Sequence, residues 1–213
     1  TDSSSFDFWP GMTAYPDTPI LPQGAFVGYP NGRMNVDPTN GTPVIYSAEG
    51  PYGGPLLQNS TDVLTIRSMG ATVVPNPLYT ATNGLPTMVT NDFGFGSVSG
   101  IVTVNGMPLH IVSWATNVIT VTAPTNVPSG QLMVTRGDNG LTTRIGLTLS
   151  INVPAATVRH VTEAAYPAHP IQDAIDAANP GDLILVGPGA YDENPILWKP
   201  VKLQGSGAES TFI

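Results

Sequence analysis

Short runs of alternating apolar and polar residues fill the middle of the chain, and a turn signal closes each of them. Over residues 62–68, Leu64, Ile66 and Ser68 share one side of an extended backbone, and Val63, Thr65 and Arg67 share the other. That period of two predicts a half-buried strand. Ile101-Val102-Thr103-Val104 predicts a second strand. Asn105-Gly106 behind it is the strongest two-residue hairpin signal, because both turn positions call for positive φ. Residues 109–114 are then the returning strand, with His110 on its solvent side between Leu109 and Ile111. Residues 118–122 and 131–135 come next, and the turn Arg136-Gly137-Asp138-Asn139-Gly140 leads to a last strand ending near Val153.

Strands punctuated by turns every ~8–12 residues have the spacing of an immunoglobulin-like β-sandwich. Residues 91–153 are its expected extent. Residues 1–90 are harder to read. Thr1-Asp2-Ser3-Ser4-Ser5 is a polar lead, Phe6-Asp7-Phe8-Trp9 a short aromatic strand closed by Pro10-Gly11, and Pro16, Pro19, Pro22 and Pro30 interrupt the stretch beyond it. With further strands at 25–29, 43–47 and 62–68, the expectation is a separate N-terminal β-rich domain with long loops, itself immunoglobulin-like or close to it.

Beyond residue 154 the period changes. Ile171, Ala174, Ile175 and Ala178 come after His169-Pro170 at i, i+3, i+4 and i+7, one apolar helical face. Asn179-Pro180-Gly181 stops that helix. Leu183-Ile184-Leu185-Val186 is an unbroken apolar run, which predicts a buried strand. Gly187-Pro188-Gly189 turns a corner, and Tyr191-Asp192-Glu193, Ile196-Leu197-Trp198, Val201-Lys202-Leu203-Gln204-Gly205 and Thr211-Phe212-Ile213 continue in short segments.

Two stretches resemble known families. Phe93-Gly94-Phe95-Gly96, Val102-Thr103-Val104-Asn105-Gly106, Trp114, Ile119-Thr120-Val121, Pro128-Ser129-Gly130 and the turn over 134–140 together resemble the IPT/TIG immunoglobulin-like family. The resemblance implies a β-sandwich used in strings, a spacer or adhesive module of bacterial surface proteins, with no catalytic residues. The apolar helix, the run from Gly181-Asp182 to Tyr191 and Glu193, and the run from Lys199-Pro200-Val201 to Gly207 resemble the N-terminal cap and first coil of a right-handed parallel β-helix, as in the pectin lyase-like superfamily. There the resemblance implies that the helix plugs the open end of a solenoid and that each short strand adds one side of a coil.

Composition narrows the functions. Charged residues are 10% of the chain, the net charge is −8, and the cations are two Lys (Lys199, Lys202) and five Arg. Affinity for nucleic acid or anionic lipid rests on clustered Lys and Arg, so neither is an expected partner. No cysteine occurs, which removes disulfides, thiolate zinc sites, thiol nucleophiles and iron–sulfur clusters. No run of about 18 apolar residues is present to insert in a membrane as a helix. The chain opens on Thr1 rather than Met, which reads as a processed or partial chain.

Candidate chemistry is thin. His160 and His169 flank Tyr166-Pro167 and, with Glu163, form a weak metal-binding set without metal-ligand spacing. No metal and no cofactor is therefore assigned. Asp192-Glu193, Asp173 and Asp176 are the carboxylates a glycosidase-type reaction would need in facing pairs. Asp173 and Asp176 read better as solvated groups that favour the helix N-terminus. Arg136-Gly137-Asp138 spells an integrin-binding tripeptide, yet it also supplies the residues a tight turn needs. Asn40-Gly41-Thr42 and Asn59-Ser60-Thr61 match the glycosylation sequon, and calcium near Asp37 or Asp92 has no loop motif behind it.

The expected architecture is mostly β: immunoglobulin-like β-sandwiches over 1–90 and 91–153, then linker, capping helix and first coil of a right-handed parallel β-helix over 154–213. The expected role is a non-catalytic structural or adhesive module, secreted or on a cell surface. Its expected partners are protein, either the remaining β-helix or neighbouring copies of the chain, and polysaccharide. A β-helix carbohydrate-active enzyme with catalytic coils outside this chain is the alternative. Leu183, Leu185, Val201 and Leu203 are the expected assembly edge, since one coil leaves strand edges open to pairing.

Overall fold

The computed structural model describes residues 38–164, 168–207 and 210–213. The strands expected near Phe6 and over 25–29, and Tyr166-Pro167, lie outside them. The described chain is mostly β. In order come β1 (Ile45–Glu49), β2 (Leu56–Leu57), β3 (Val63–Ser68), β4 (Gly70–Pro75), β5 (Met88–Phe93), β6 (Ile101–Val104), β7 (Met107–Pro108) and β8 (His110–Trp114). After them come β9 (Val118–Thr122), β10 (Gly130–Thr135), β11 (Leu147–Ile151), β12 (Val158–Val161), the helix α1 (Pro170–Ala177), β13 (Leu183–Val186), β14 (Gly189–Ala190), β15 (Lys202–Gly205) and β16 (Thr211–Phe212). Pro38–Val74 and Met88–Ile213 belong to one compact unit, and Pro75–Thr87 to another. Within that short segment the Asn76 amide donates to the Pro86 carbonyl and accepts from the Leu78 N–H.

Two sheets enclose one apolar core. The first runs β1-β3-β9-β8, the second β2-β11-β10-β6-β7. Their inward residues alternate along each strand, and Leu64, Ile66, Ile119 and Val121 of the first meet Val102, Val104, Leu132, Val134 and Leu149 of the second. The boundary expected at residue 90 falls inside this body. Leu64 stands opposite Val121 and Ile66 opposite Ile119, so residues 91–153 alone would leave the apolar face of β9 half covered. The physical reason is burial: β1 and β3 carry an apolar face that only this core can take up.

Asn105 and Gly106 turn at positive φ, 49° and 79°, as the hairpin signal requires. The return is shorter than expected. Met107 and Pro108 pair back onto β6, and after them the Leu109 N–H donates to the Val102 carbonyl at 2.8 Å. Leu109 is buried in the core, and His110–Trp114 crosses to the other sheet, where it pairs with β9. His110 is exposed, as its alternation suggests.

The last third is parallel. β12, β13 and β15 form one sheet in that order, with Val158 opposite Leu183 and Leu183 opposite Lys202. β14 and β16 form a second parallel pair. Each strand is thus stacked on its counterpart from the preceding pass of the chain, while α1 packs against β12 and β13.

Candidate functional site

The helix α1 covers the inner face of this parallel stack. Ile171 and Ile175 are fully buried among Val161, Ile184, Val186 and Tyr191, each contributing about 1.5–3 kcal/mol by removal from water. His169 precedes the helix without a capping side-chain bond. The missing cap arrives from further along the chain. The buried Glu193 carboxylate accepts the N–H of Ile171 at 2.9 Å and that of Gln172 at 3.0 Å, pairing two otherwise orphaned donors and placing negative charge at the positive end of the helix. Beside it, burial raises the Tyr191 hydroxyl pKa above its ordinary value, with the Glu163 and Glu193 charges adding to the effect.

The other end of α1 is held as firmly. Lys199 Nζ donates to the carbonyls of Asp176 and Ala178 at 2.8 and 2.9 Å, where a cation offsets the helix dipole. The Asp176 carboxylate accepts from Trp198 Nε1 at 2.7 Å and Gln172 Nε2 at 2.8 Å, and these bonds hold its pKa below the ordinary carboxylate range. Asp173 is exposed in the first turn.

The outer face of the same stack is joined to the two-sheet body. Leu183 and Leu185 are buried with Leu56 of β2, and Val153 and Val158 pack around them. Gln204 on β15 completes the junction. Its Nε2 donates to the carbonyls of Pro55 at 3.1 Å and Thr148 at 3.0 Å, and its Oε1 accepts the Ser150 hydroxyl at 2.6 Å. A buried amide with its donors and acceptor engaged carries no unpaired-polar penalty and fixes one register. At the start of β13, Asp182 accepts the Asn179 N–H and the Arg159 Nε, both at 2.9 Å. The Asn179 bond first, then Arg159, holds its pKa below the ordinary range.

A second polar cluster lies in the two-sheet body. The Arg136 guanidinium forks onto Asp138, with Nε–Oδ1 at 2.9 Å and Nη2–Oδ2 at 2.6 Å, while Nη1 reaches Asp92 Oδ2 at 2.9 Å and the Gly94 carbonyl at 3.2 Å. Arg136 is 7% exposed. The Arg-Gly-Asp tripeptide therefore bonds to itself, and its arginine is unavailable to a partner. Gly96, at φ +74°, has no room for a side chain, because a Cβ would meet the Arg136 and Asp138 termini within 3 Å. The Asp92 carboxylate that could have served calcium is taken by this arginine, whose bond, with the Gly94 N–H, lowers the Asp92 pKa.

The sequence-predicted site residues are placed differently from expectation. His160 is exposed on β12 and lines a small hollow of about 210 Å³ with Glu49, Gly53 and Ser206. Glu163 lies against Gly189, and His169 sits at the start of α1. The three do not converge: among the described residues no three His, Asp or Glu side chains meet as a metal site. The assembly-edge expectation also needs correcting. β13 is the central strand, so Leu183 and Leu185 are interior and face the two-sheet body, while Val201 and Leu203 are half-buried on the inner cluster. Among the described residues β12 and β15 are the two edge strands of that sheet. Gln204 and Glu193, the residues that join the parts, were not singled out for those roles. Each lies in an apolar or turn-rich run whose local pattern does not reveal distant carbonyl or N–H partners.

Leu203 and Gly205 of β15, with Ser129, Gly130, Leu147 and Thr148, line a groove of about 730 Å³. Phe212 and Ile213 stand exposed near it, at 53% and 61%.

No family model matches the chain. No curated protein matches it. Among solved structures it has a likeness to the gamma-CGTase of alkalophilic Bacillus clarkii, at 20% identity over 60% of this chain and 15% of that one, with a TM-score of 0.35. So distant a likeness carries neither fold nor function.

Proposed function

We propose that this chain is a structural and adhesive module of a secreted or surface protein, in which an IPT/TIG-like sandwich is fixed to the capped start of a right-handed parallel β-helix. The observation that carries the reading is the junction: Leu56, Leu183 and Leu185 share one buried cluster, and Gln204 bonds across it to Pro55, Thr148 and Ser150. Such a joint transmits position rather than allowing a loose linker to bend. The parallel registers of β12, β13 and β15, and of β14 with β16, support the solenoid part of the reading. The right-handed sense accords with the general rule for parallel crossovers. Of the carboxylates weighed for hydrolysis, Glu193 accepts the N–H groups at the helix start and Asp176 accepts from Trp198 and Gln172.

The test sets retention against turnover. The full chain, immobilised, is challenged with insoluble polysaccharides and in parallel assayed for lyase and esterase action on polyuronides. Retention of a polymer without cleavage is the expected result. Release of unsaturated or de-esterified product would overturn the structural reading in favour of a carbohydrate-active enzyme.

A further inference from the structure

We infer that Asn83 is a site of self-modification: its carboxamide closes onto the Gly84 nitrogen, expels ammonia, and leaves aspartate or isoaspartate in the exposed segment between β4 and β5. The inference goes beyond the structural and adhesive reading and stands whether or not that reading holds.

The chemistry belongs to the Asn-Gly pair. The backbone nitrogen after an asparagine, once its proton has gone to hydroxide, attacks the Asn Cγ, and a glycine there puts no side chain in the way. Attack leaves the negative charge on Oδ1. The Cγ–Nδ2 bond then breaks, Nδ2 takes a proton from water and departs as ammonia, and a cyclic imide remains. Water opens that ring at either carbonyl, so the net change consumes one water and releases one ammonia. Asn40-Gly41, Asn83-Gly84, Asn105-Gly106 and Asn139-Gly140 are such pairs among the described residues, and Asn31-Gly32 lies outside them.

The structure separates the four. The Gly41 N–H donates to the Asp92 carbonyl at 2.9 Å and the Gly140 N–H to the Arg136 carbonyl at 3.1 Å, so a bond must break before either nitrogen can attack. At Gly84 and Gly106 no acceptor among the described residues takes the N–H. Asn105 is clamped instead. Its Nδ2 donates to the Ser129 carbonyl at 3.0 Å and its Oδ1 accepts the Gln131 N–H at 3.1 Å. Its amide also lies so close on Gly130 that a Cβ there would run into it. Turning it toward Gly106 breaks both ties to the start of β10. The bonds of Asn83 are local, and they act where charge develops. Its Oδ1 accepts the N–H of Thr80 at 3.1 Å and of Leu85 at 3.2 Å, two donors set on the oxygen that becomes the oxyanion. Its Nδ2 donates to the Leu78 carbonyl at 2.6 Å, a bond that strengthens as that nitrogen takes up its proton and leaves. Gly84 is exposed at φ +66°, with open space where a side chain would stand.

The test incubates the folded full chain in mildly basic buffer at physiological temperature and maps its peptides by mass. Isoaspartate is read from chromatographic retention against synthetic standards. Asn83 should convert at least about tenfold faster than Asn40 and Asn139, the factor that one hydrogen bond on the attacking nitrogen imposes. Asn105 should trail it as well. The same chain unfolded in guanidinium chloride supplies the reference, because there the four pairs differ only in their sequence neighbours. In the folded chain Asn83 should match or exceed its own unfolded rate, while the other three fall below theirs. An Asn83 that converts more slowly folded than unfolded, or that any of the other three overtakes, overturns the inference.

Discussion

The Ser150 hydroxyl donates to Gln204 Oε1 at 2.6 Å, joining β11 of the two-sheet body to β15 of the parallel stack. The bond is buried, and the same Gln204 amide reaches Pro55 and Thr148 with its two hydrogens. Ser150 is itself tied down, since its N–H donates to the Pro55 carbonyl at 2.9 Å. A parallel strand laid on the two-sheet body has no ladder in common with it, so the side-chain amide, together with the Ala48 N–H that donates to the Ser206 carbonyl at 3.3 Å, supplies directional contact that apolar burial alone cannot.

Replacing Gln204 with Leu keeps the size and removes this contact. The Ser150 hydroxyl and the Thr148 carbonyl then lose a buried partner, and the expected loss is about 1–3 kcal/mol. Urea midpoints of Q204L against the parent chain measure it. A change below about 0.5 kcal/mol would mean that water or another group satisfies both positions, and that Gln204 is not the tie.

Leu185→Ala tests the apolar half of the junction. Leu185 is 3% exposed and shares its cluster with Leu56 and Leu183, and truncating such a leucine costs about 2–5 kcal/mol. Leu185→Lys should go further, separating the unfolding of the parallel stack from that of the two-sheet body into two calorimetric transitions. The solution mass should stay that of the parent chain, because this side chain faces inward rather than along an assembly edge. A mass that falls on substitution would restore the edge role.

Much of this fold was legible where side-chain alternation met burial on one face. Leu64 and Ile66, the Asn105-Gly106 turn and the helical spacing of Ile171 and Ile175 were all readable from period alone. Leu183–Val186 reads as buried, and the structure buries it on both faces, between α1 and Leu56. The illegible features depend on contacts distant in sequence. Nothing local to Asp62–Ser68 says that it pairs with Val118–Thr122, and β12 lacks a strong alternation because Arg159 and His160 interrupt it. Likewise a glutamate after Tyr191-Asp192 looks like half of a catalytic pair until the N–H groups it caps are seen.

Glu193→Ala should loosen α1 without touching the two-sheet core. Losing a carboxylate that caps two backbone donors costs about 0.5–2 kcal/mol. The exchange of the Ile171 and Gln172 amides should accelerate, while amides of β6 and β10 keep the parent rates. Glu193→Gln should fall between, since it retains an acceptor but loses the charge at the helix start. If α1 exchange is unchanged in the alanine variant, water caps the helix and the carboxylate is dispensable.

The Arg136 cluster sets an acid limit on stability. Asp92 and Asp138 are both held below the ordinary carboxylate range, first by their bonds to Arg136. Depressed values in the folded state mean stability that is present above the unfolded carboxylate pKa of about 4 and lost as pH falls through the folded values. Asp176 and Asp182 shift in the same direction for their own bonds, so the decline below about pH 4 is shared among four groups. Asp138→Asn removes one of them. The variant should be less stable at pH 7, because the fork onto the buried guanidinium loses its charge, and its stability should fall less steeply from about pH 4 to 2. Urea midpoints across that range compare the two slopes. Parallel curves would mean that Asp138 titrates as in the unfolded chain, and that Arg136 is held by Asp92 and the Gly94 carbonyl instead.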